Sequence, residues 1–234
     1  MLVSIIVPAF NEKNNIEQII DEINNKVNYE KQIIVIDDNS TDGTVEILKK
    51  KLISKVNKII FHEKNQGKGA AIKSSLPFLK GDIIVIQDAD LEYDPNDLNR
   101  LIRSIIDGQS NVAYGSRVLG KSRYGNKNFT SNFRVFGNHI LTIFSNILNN
   151  QKLTDAHTCY KVFKKDIFNR LDLKENDFAF CPEVTTKVSL LKEKILELPI
   201  NYSGRSIEEG KKIRLIDAFK ALFTVIKYRF KKYE

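Results

Sequence analysis

Three acidic residues follow a short apolar run in the segment IIVIQDADLE, residues 83–92. Asp88 and Asp90 are two positions apart, so on an extended strand end their side chains point to the same side. Two carboxylates held together repel each other, and a divalent cation removes that repulsion. Mg²⁺ or Mn²⁺ usually takes one or two protein carboxylates and completes its shell with water and substrate phosphate. The pattern therefore predicts a Mg²⁺ or Mn²⁺ site at Asp88 and Asp90, with Glu92 placed to assist directly or through water.

Helix capping is the alternative role for acids in this stretch. Asp94 precedes Pro95, and an acidic residue followed by proline is typical of a helix start. Capping explains Asp94 and also Asp97. It leaves Asp88 and Asp90 without a structural role, which favours the metal site.

Two further polar clusters contain residues that could bind a nucleotide. Asp38 follows the apolar run in IIVIDDNSTDGT, residues 33–44, and its carboxylate could accept hydrogen bonds from a base or from ribose hydroxyls. The segment NQGKGAAIK, residues 65–73, places Lys68 and two glycines at a predicted helix N-terminus. Backbone N–H groups and the helix dipole attract phosphate there, although the spacing is not that of a P-loop.

Short apolar runs alternate with amphipathic segments through the first half of the chain. This order predicts an α/β fold with a largely parallel sheet flanked by helices. The predicted strands are 2–7, 32–36, 58–61, 82–86 and 111–115, and the predicted helices lie near 14–26, 42–51 and 68–79. Ligands bind at the carboxyl ends of the strands in such sheets. Polar clusters follow the first four strands, so we expect one site at that edge.

The second half of the chain has a less regular pattern. Residues 120–130 form a predicted flexible loop, 131–149 a helix and 194–199 a strand. The apolar residues of the 131–149 helix either pack in the core or contact a lipid tail. The last segment, 213–234, is predicted to be an amphipathic basic helix. Such a basic face is usually solvated, and with interleaved aromatic residues it could also lie on an anionic bilayer.

Composition narrows the class of protein. The 234 residues carry a net charge of +8, which points to an anionic partner such as nucleic acid, a phosphorylated substrate or a membrane surface. We predict no membrane-spanning helix, and the N-terminal MLVSIIVPAFNE is typical of a strand and not of a signal peptide. We therefore expect a cytoplasmic protein. Cys159 and Cys181 lack paired spacing, which argues against a disulfide framework and a thiolate metal site.

Five segments stand in order along the chain: SIIVPAFNEKNNI, IIVIDDNSTDGT, NQGKGAAIKSSL, GDIIVIQDADLEYDP and VAYGSRV. Together they resemble the family 2 inverting glycosyltransferases of GT-A fold, and more narrowly the dolichyl- or polyprenyl-phosphate mannosyl- and glucosyltransferase branch. The resemblance implies a GT-A domain over 1–212, with a nucleotide-sugar half near 1–115, an acceptor half near 116–212 and a separate helix at 213–234. It implies transfer of a hexose from a GDP-mannose or UDP-glucose type of donor to polyprenyl phosphate, with Mg²⁺ or Mn²⁺ bound, at the inner face of the cell membrane.

The resemblance also implies roles for donor-site residues. The residues concerned are Pro8, Phe10, Glu12, Asp38, Asp88, Asp90 and Glu92. The first three would line the nucleotide pocket, with Phe10 where a tyrosine is commoner, and Asp38 would meet the base or ribose. Asp88 and Asp90 match the DXD motif that holds a metal on the diphosphate.

Further residues match positions near the acceptor. Arg117 and Arg134 would contact the acceptor phosphate or the donor diphosphate. Arg205 and Lys212 would close over phosphates. Asp155 in TDAHTCY matches the acidic position usually treated as catalytic.

The chemistry of sugar transfer agrees with these roles. Breaking a sugar–diphosphate bond concentrates negative charge on the leaving group, so a metal with Arg and Lys side chains is expected. A hydroxyl acceptor would need a carboxylate such as Asp155 to take its proton. A lipid phosphate is already anionic and needs no base, and Asp155 would then orient a basic side chain or the metal shell. The predicted catalytic residues are Asp90, Arg117 and Asp155.

Three other functions compete with this interpretation. Transfer to a sugar hydroxyl in cell-surface polysaccharide synthesis is the nearest. A nucleotidyltransferase would show a Gly-rich basic loop after the first strand, and PAFNEKNN is not one. A nucleic-acid-binding domain is disfavoured because Asp88 and Asp90 would repel phosphate without a metal.

His157 lies two residues from Asp155, and we expect it to be a hydrogen-bonding structural residue and not a metal ligand.

Overall fold

A computed structural model describes residues 1–119, 129–204 and 215–231. They contain a seven-stranded sheet in the order β3-β2-β1-β4-β6-β5-β7. The strands are β1 Val3–Ala9, β2 Lys31–Asp37, β3 Lys58–Phe61, β4 Ile83–Ile86, β5 Val112–Ser116, β6 Lys161–Lys164 and β7 Ile195–Pro199. Only β6 runs antiparallel to its neighbours, β4 and β5, and the other pairs are parallel. The predicted mostly parallel α/β sheet is confirmed.

The strands at the centre of the sheet are apolar because helices cover both of its faces. β1, β2 and β4 consist largely of valine and isoleucine, and their side chains are almost entirely buried. Side chains with two heavy atoms on Cβ fit a pleated surface that is packed on both sides.

Eight helices surround the sheet within the described residues. They are α1 Ile16–Lys26, α2 Thr44–Ile47, α3 Lys68–Ser75, α4 Leu98–Ile106, α5 Phe129–Asn149, α6 Lys165–Arg170, α7 Phe180–Leu190 and α8 Leu215–Phe230. α2 continues as a π-helical turn over Leu48–Leu52. α3 gives way to a 3₁₀ turn at Leu76–Phe78, because Pro77 has no N–H to continue the helix. No helix of the three described ranges is both long and apolar enough to cross a membrane.

The second half of the sheet differs most from the expectation. The sequence pattern did not indicate β6, α6 or α7. β6 has only four residues, and Val162 and Phe163 between its lysines give too short a pattern to recognise. The predicted loop at 120–130 lies mostly outside the described residues. The predicted division at residue 212 stays a prediction, and α8 packs against α5 and α7.

The loops after β1 and β2 are joined to each other at the carboxyl edge of the sheet. Asn11 adopts a left-handed conformation with φ of 53°. Its backbone N–H donates to Ser40 Oγ at 2.8 Å, and its side-chain oxygen accepts from the Thr41 N–H at 2.8 Å. This edge is where the sequence predicted a site.

Candidate active site

The acidic loop after β4 begins with an ion pair. Asp88 Oδ1 lies 2.5 Å from Lys68 Nζ, and both side chains are largely buried. Burial raises the pKa of Asp88, but the adjacent Lys68 charge outweighs it and the pKa is lowered. Burial likewise lowers the pKa of Lys68, and Asp88 more than compensates, so that the pKa is raised. The pair is therefore a charged carboxylate with a fixed ammonium beside it.

The other two acids of this loop turn toward local partners. Asp90 Oδ1 accepts the Glu92 N–H at 3.2 Å, and Glu92 Oε2 accepts the Tyr202 hydroxyl at 2.8 Å. Nowhere in the described part of the chain do three His, Cys, Asp or Glu side chains gather closely enough to hold a metal ion. Asp88 and Asp90 nevertheless offer the one or two carboxylates that Mg²⁺ or Mn²⁺ takes when phosphate and water complete its shell. The donor set fits such an ion without Glu92.

The glycines beside Lys68 are explained by packing. A Cβ on Gly67 would lie 2.5 Å from the Asn176 carbonyl oxygen, and one on Gly69 would lie 2.4 Å from that of Glu175. The Ala70 N–H donates to the Asn176 carbonyl at 2.9 Å. This backbone contact occupies part of the helix start at which the sequence suggested phosphate binding, so the role left for a phosphate is that of the Lys68 side chain.

Asp38 organises the loop that leads into α3. Its Oδ1 contacts His62 Nδ1 at 2.7 Å and accepts the Gln66 N–H at 2.8 Å, and its Oδ2 accepts the Gly67 N–H at 2.7 Å. The residue is 4% exposed. Its predicted contact with a base or ribose therefore stays a prediction beside an observed structural role.

Asp37, which the sequence analysis did not single out, is buried at the end of β2. Its Oδ2 accepts the Ser40 N–H at 2.9 Å, and its Oδ1 has no hydrogen-bond partner among the described residues. The signal in the sequence is the adjacent pair Asp37 and Asp38, of which only Asp38 was predicted to contact a nucleotide.

The residues after β1 lie at the same edge. Pro8 and Phe10 are half-buried, and Glu12 is buried. Glu12 Oε2 accepts from Asn15 Nδ2 at 2.7 Å, and its backbone N–H donates to Thr44 Oγ1 at 2.9 Å. Glu12 thus fixes the start of α1, and the nucleotide contacts predicted for these residues are untested.

Arg117 and Asp155 form a buried bidentate ion pair. Arg117 Nε lies 2.7 Å from Asp155 Oδ2 and Nη2 lies 2.8 Å from Oδ1, while the Arg117 backbone N–H donates to Oδ2 at 3.1 Å. Burial raises the pKa of Asp155, but the guanidinium beside it dominates and the pKa is lowered. Glu197 accepts the N–H groups of Thr154 and Asp155 at 2.6 and 2.9 Å, which holds this segment in place.

Tyr202 connects the arginine to the acidic loop. The Arg117 guanidinium carbon lies 5.2 Å from the centre of the Tyr202 ring, while the Tyr202 hydroxyl bonds to Glu92. The same ring packs edge-on against Tyr93 at 5.1 Å. Tyr202 therefore links the Arg117–Asp155 pair to Glu92 of the acidic loop through an aromatic contact that the sequence did not reveal. The functional roles predicted for these residues stay predictions.

Lys161 is a second feature that the sequence analysis missed. Its side chain is fully buried, donates to the carbonyls of Ala156 and Thr158, and lies 4.4 Å from the centre of the Tyr114 ring. Burial lowers the pKa of this lysine. Lys161 thus binds the segment that carries Asp155.

His157 lies in the same segment as Asp155. Burial lowers the pKa of His157 to about 4, so at neutral pH this imidazole is uncharged.

Three predicted basic residues give no side-chain geometry. Arg134 belongs to α5, but its side chain lies outside the described structure, and Arg205 and Lys212 fall outside the described residues altogether. Their phosphate contacts stay predictions.

This sheet, with acids after β4 and an arginine after β5, is that of GT-A glycosyltransferases. It superposes on glucosyl-3-phosphoglycerate synthase of Mycobacterium tuberculosis, crystallised with Mg²⁺ and UDP, with a TM-score of 0.70 and 18% identity over 97% of this chain and 79% of that one. The mannosyltransferase PcManGT of Pyrobaculum calidifontis, crystallised with GDP-Man and Mn²⁺, gives a TM-score of 0.58 and 17% identity over 97% and 69%. At these identities the likeness concerns the fold.

The chain belongs to glycosyl transferase family 2, and the model of that family matches residues 4–172. The family prediction is confirmed. The chain is 29% identical to the low-salt glycan biosynthesis hexosyltransferase Agl6 of Haloferax volcanii over 88% of its own length, and 28% identical to a dolichol-phosphate mannosyltransferase of Pyrococcus furiosus over 90%. It spans only 48% and 59% of these two relatives. A UDP-N-acetylglucosamine–dolichyl-phosphate N-acetylglucosaminyltransferase of Methanococcus voltae is 28% identical, with 99% of this chain and 97% of the relative covered.

Proposed function

We infer that this family 2 glycosyltransferase moves a hexose from a nucleotide sugar of the GDP-mannose or UDP-glucose type to a polyprenyl phosphate, with inversion at the anomeric carbon. The relatives from Pyrococcus furiosus and Methanococcus voltae are named as transferases to dolichol phosphate or dolichyl phosphate, which supports an acceptor of that type. The enzyme would work as a cytoplasmic protein, peripheral to the inner face of the membrane where such lipids present their phosphate.

The Arg117–Asp155 pair carries this proposal. Both oxygens of Asp155 are engaged by one guanidinium and its pKa is lowered, which makes the carboxylate a weak base for a hydroxyl acceptor. A phosphate acceptor needs no base. Arginine is suited to phosphate because its planar donors match two oxygens, and Asp155 would hold that guanidinium in a fixed orientation. Arg134, Arg205 and Lys212 remain further phosphate contacts of the proposal.

The donor diphosphate would lie at the loop after β4. A Mg²⁺ or Mn²⁺ ion held there by Asp88 and Asp90 would neutralise charge that develops on the departing diphosphate. Lys68 already lies against Asp88, so its ammonium is within reach of the same diphosphate. Pro8, Phe10, Glu12 and Asp38 would form the nucleotide pocket.

Inversion follows from a single displacement. An oxygen of the acceptor phosphate bonds to the anomeric carbon from one side, while the bond to the diphosphate breaks on the other and its electron pair leaves with the nucleoside diphosphate. The chain's own task is to orient the two phosphate groups in line.

The experiment that tests the proposal compares acceptors that differ in one group. Purified protein is incubated with labelled GDP-mannose, UDP-glucose or UDP-N-acetylglucosamine, with Mn²⁺, and with a short-chain polyprenyl phosphate, the same prenol without phosphate, or a simple glycoside. We expect transfer to the polyprenyl phosphate alone, with the product's anomeric configuration opposite to the donor's. Transfer to the glycoside with none to the phosphate would establish the polysaccharide alternative instead.

A further inference from the structure

Over residues 136–149, helix α5 buries several polar side chains and exposes large apolar ones. Thr142, Ser145 and Asn149 are buried, and Asn149 Nδ2 donates to Ser145 Oγ and to Thr186 Oγ1, both at 3.1 Å. The opposite side exposes large apolar side chains, namely Phe136 at 50%, Ile140 at 47%, Ile143 at 45% and Ile147 at 73%. A surface helix in water has the reverse arrangement. The outer side of α5 is therefore suited to an apolar surrounding.

Helix α8 repeats this exposed pattern. Its exposed apolar side chains are Phe219 at 73%, Phe223 at 67%, Ile226 at 43% and Phe230 at 71%. In both helices these residues follow the same spacing of four, three and four, which places them along one side of a helix. α5 and α8 pack against each other. We call the eight exposed side chains on the two helices the paired-helix face.

The charges around this face favour an anionic surface as its partner. Residues 135–151 contain no Asp, Glu, Lys or Arg, so the α5 side is uncharged. Residues 205–234 contain nine basic and four acidic residues, which is five of the eight net positive charges of the chain. Arg229 lies in the last turn of α8, and Lys231 directly follows the helix. A second copy would bring the same positive surplus to the contact, whereas an anionic bilayer complements it.

The paired-helix face is joined directly to the site. Asn146 of α5 donates to the Leu153 carbonyl at 2.8 Å and accepts the Leu153 N–H at 3.0 Å, two residues before Asp155. α8 is tied to the loop that contacts the start of α3, since Lys227 and Tyr228 bind Glu175 at 2.7 and 2.8 Å. The two helices thus contact segments in both halves of the site: α5 contacts the segment that leads to Asp155, and α8 contacts the loop at the start of α3.

We propose that the paired-helix face rests in the interfacial layer of an anionic bilayer, with the apolar side chains among the acyl chains and with Arg229 and Lys231, at the C-terminal end of α8, at the headgroups. This surface rests on the proposed function, because it would bring a membrane-embedded polyprenyl phosphate to Arg117. From the sequence, the C-terminal helix could be solvated or lie on a bilayer, and the apolar residues of α5 could pack in the core or contact lipid.

The test is sedimentation with vesicles of phosphatidylcholine that contain about one third phosphatidylglycerol, against vesicles of phosphatidylcholine alone. Burial of one such side chain changes the partition coefficient by about tenfold. Ile147→Ser and Phe223→Ser should each reduce binding to the anionic vesicles by about that factor. Ile53→Ser is the matched control, because Ile53 is 68% exposed on a different part of the molecule, and it should bind like the wild type. Melting temperatures should be the same for all four proteins.

Light scattering and a soluble acceptor separate the other outcomes. Equal binding of Ile147→Ser, Ile53→Ser and the wild type, or no binding by any of them, would overturn the proposal. A wild-type dimer that dissociates on Phe223→Ser would overturn it in favour of a second copy. With short-chain polyprenyl phosphate in solution, Ile147→Ser and Phe223→Ser should transfer at the wild-type rate. If the wild type did not transfer sugar to the soluble short-chain polyprenyl phosphate, that result would contradict the proposed function but not the membrane-binding role of the paired-helix face.

Discussion

At the scale of single residues, the orientation of Arg117 is the feature on which the proposed acceptor binding depends. The guanidinium is held by both oxygens of Asp155 and by the Tyr202 ring. Such a group is pre-organised, so little side-chain entropy is lost when it binds a phosphate. In the proposed reaction Asp155 would act through the arginine, so its removal should affect both the fold and sugar transfer.

Asp155→Asn should lower the free energy of unfolding by about 3–5 kcal/mol at pH 7, because it breaks a buried ion pair. The pKa of Asp155 is lowered in the fold, so the pair stabilises fully above the unfolded value of about 3.9 and loses its contribution as pH falls through the folded pKa. Urea unfolding at a series of pH values measures this. The difference in free energy of unfolding between the wild type and Asp155→Asn should become smaller below about pH 4.

Asp107→Asn is the control for this measurement. Asp107 also pairs with an arginine, Arg103, but on the surface, where ion pairs contribute little. It should leave the unfolding curve nearly unchanged at every pH. If the difference in free energy of unfolding between the wild type and Asp155→Asn stayed constant down to acidic pH, the Arg117–Asp155 ion pair would not be the cause of that difference.

Asp90→Asn should reduce sugar transfer at least about 100-fold, because one of two carboxylates for the metal is lost and metal stabilisation is worth several kcal/mol. The free energy of unfolding should change by less than about 1 kcal/mol. Asp94→Asn is the matched control, since Asp94 accepts the Asn96 N–H as a helix cap and asparagine caps equally well. Undiminished transfer by Asp90→Asn would exclude the metal site at this loop.

Some site residues could be identified from the sequence and others could not. Asp88, Asp90 and Asp38 follow apolar strands, and that local pattern is enough to find them. Tyr202 has no local signal, because its role arises from contact with Glu92, which lies 110 positions earlier. The glycines beside Lys68 had a signal that suggested phosphate, whereas their close contacts are with the backbone of residues 175–176.

At the scale of elements, the antiparallel strand β6 joins the two halves of the site. It lies between β4 and β5, so the segment before it runs beside the acidic loop, and Cys159 Sγ lies 3.6 Å from Lys68 Nζ. The parallel strands were predictable because valine and isoleucine runs recur between amphipathic helices. β6 was not, because four residues with lysine at both ends carry too little pattern.

The contact between α3 and the loop at 175–177 gives a prediction about an element. Gly69→Ala should destabilise the protein by about 1–3 kcal/mol, because the new Cβ would meet the Glu175 carbonyl at 2.4 Å. Gly137→Ala is the control, since nothing lies within 4 Å of a Cβ there. In the middle of α5 this change should stabilise by up to about 1 kcal/mol. Chemical denaturation measures both, and equal effects would contradict the packing role of Gly69.

At the scale of the whole molecule, fold and charge together favour the proposed kind of substrate. The sheet brings the polar strand ends to one edge, and the net charge of +8 favours anionic ligands at that edge and on the surface. The alternation of apolar and amphipathic segments was sufficient to predict the mostly parallel sheet, although not β6, α6 or α7. The exposed side of α5 was not predictable, because the same apolar spacing also describes a helix that faces a core.

Ligand binding should stabilise the whole chain. With Mn²⁺ and a nucleoside diphosphate at about 100 times the dissociation constant, the gain is about 2.7 kcal/mol, or about 5–10 °C in melting temperature for a protein of this size. We expect most of that shift to disappear when EDTA replaces Mn²⁺, and to be small for Asp90→Asn in either condition. A full shift in EDTA would mean that the nucleotide binds without a metal.

The most direct test of the proposed metal and diphosphate site is a crystal structure with Mn²⁺ and the nucleoside diphosphate of the donor that supports transfer. We predict anomalous density for manganese between Asp88 or Asp90 and the diphosphate oxygens, with Lys68 beside the same diphosphate. A nucleotide bound elsewhere, or Asp88 and Asp90 turned into solvent with no metal between them and the diphosphate, would contradict it.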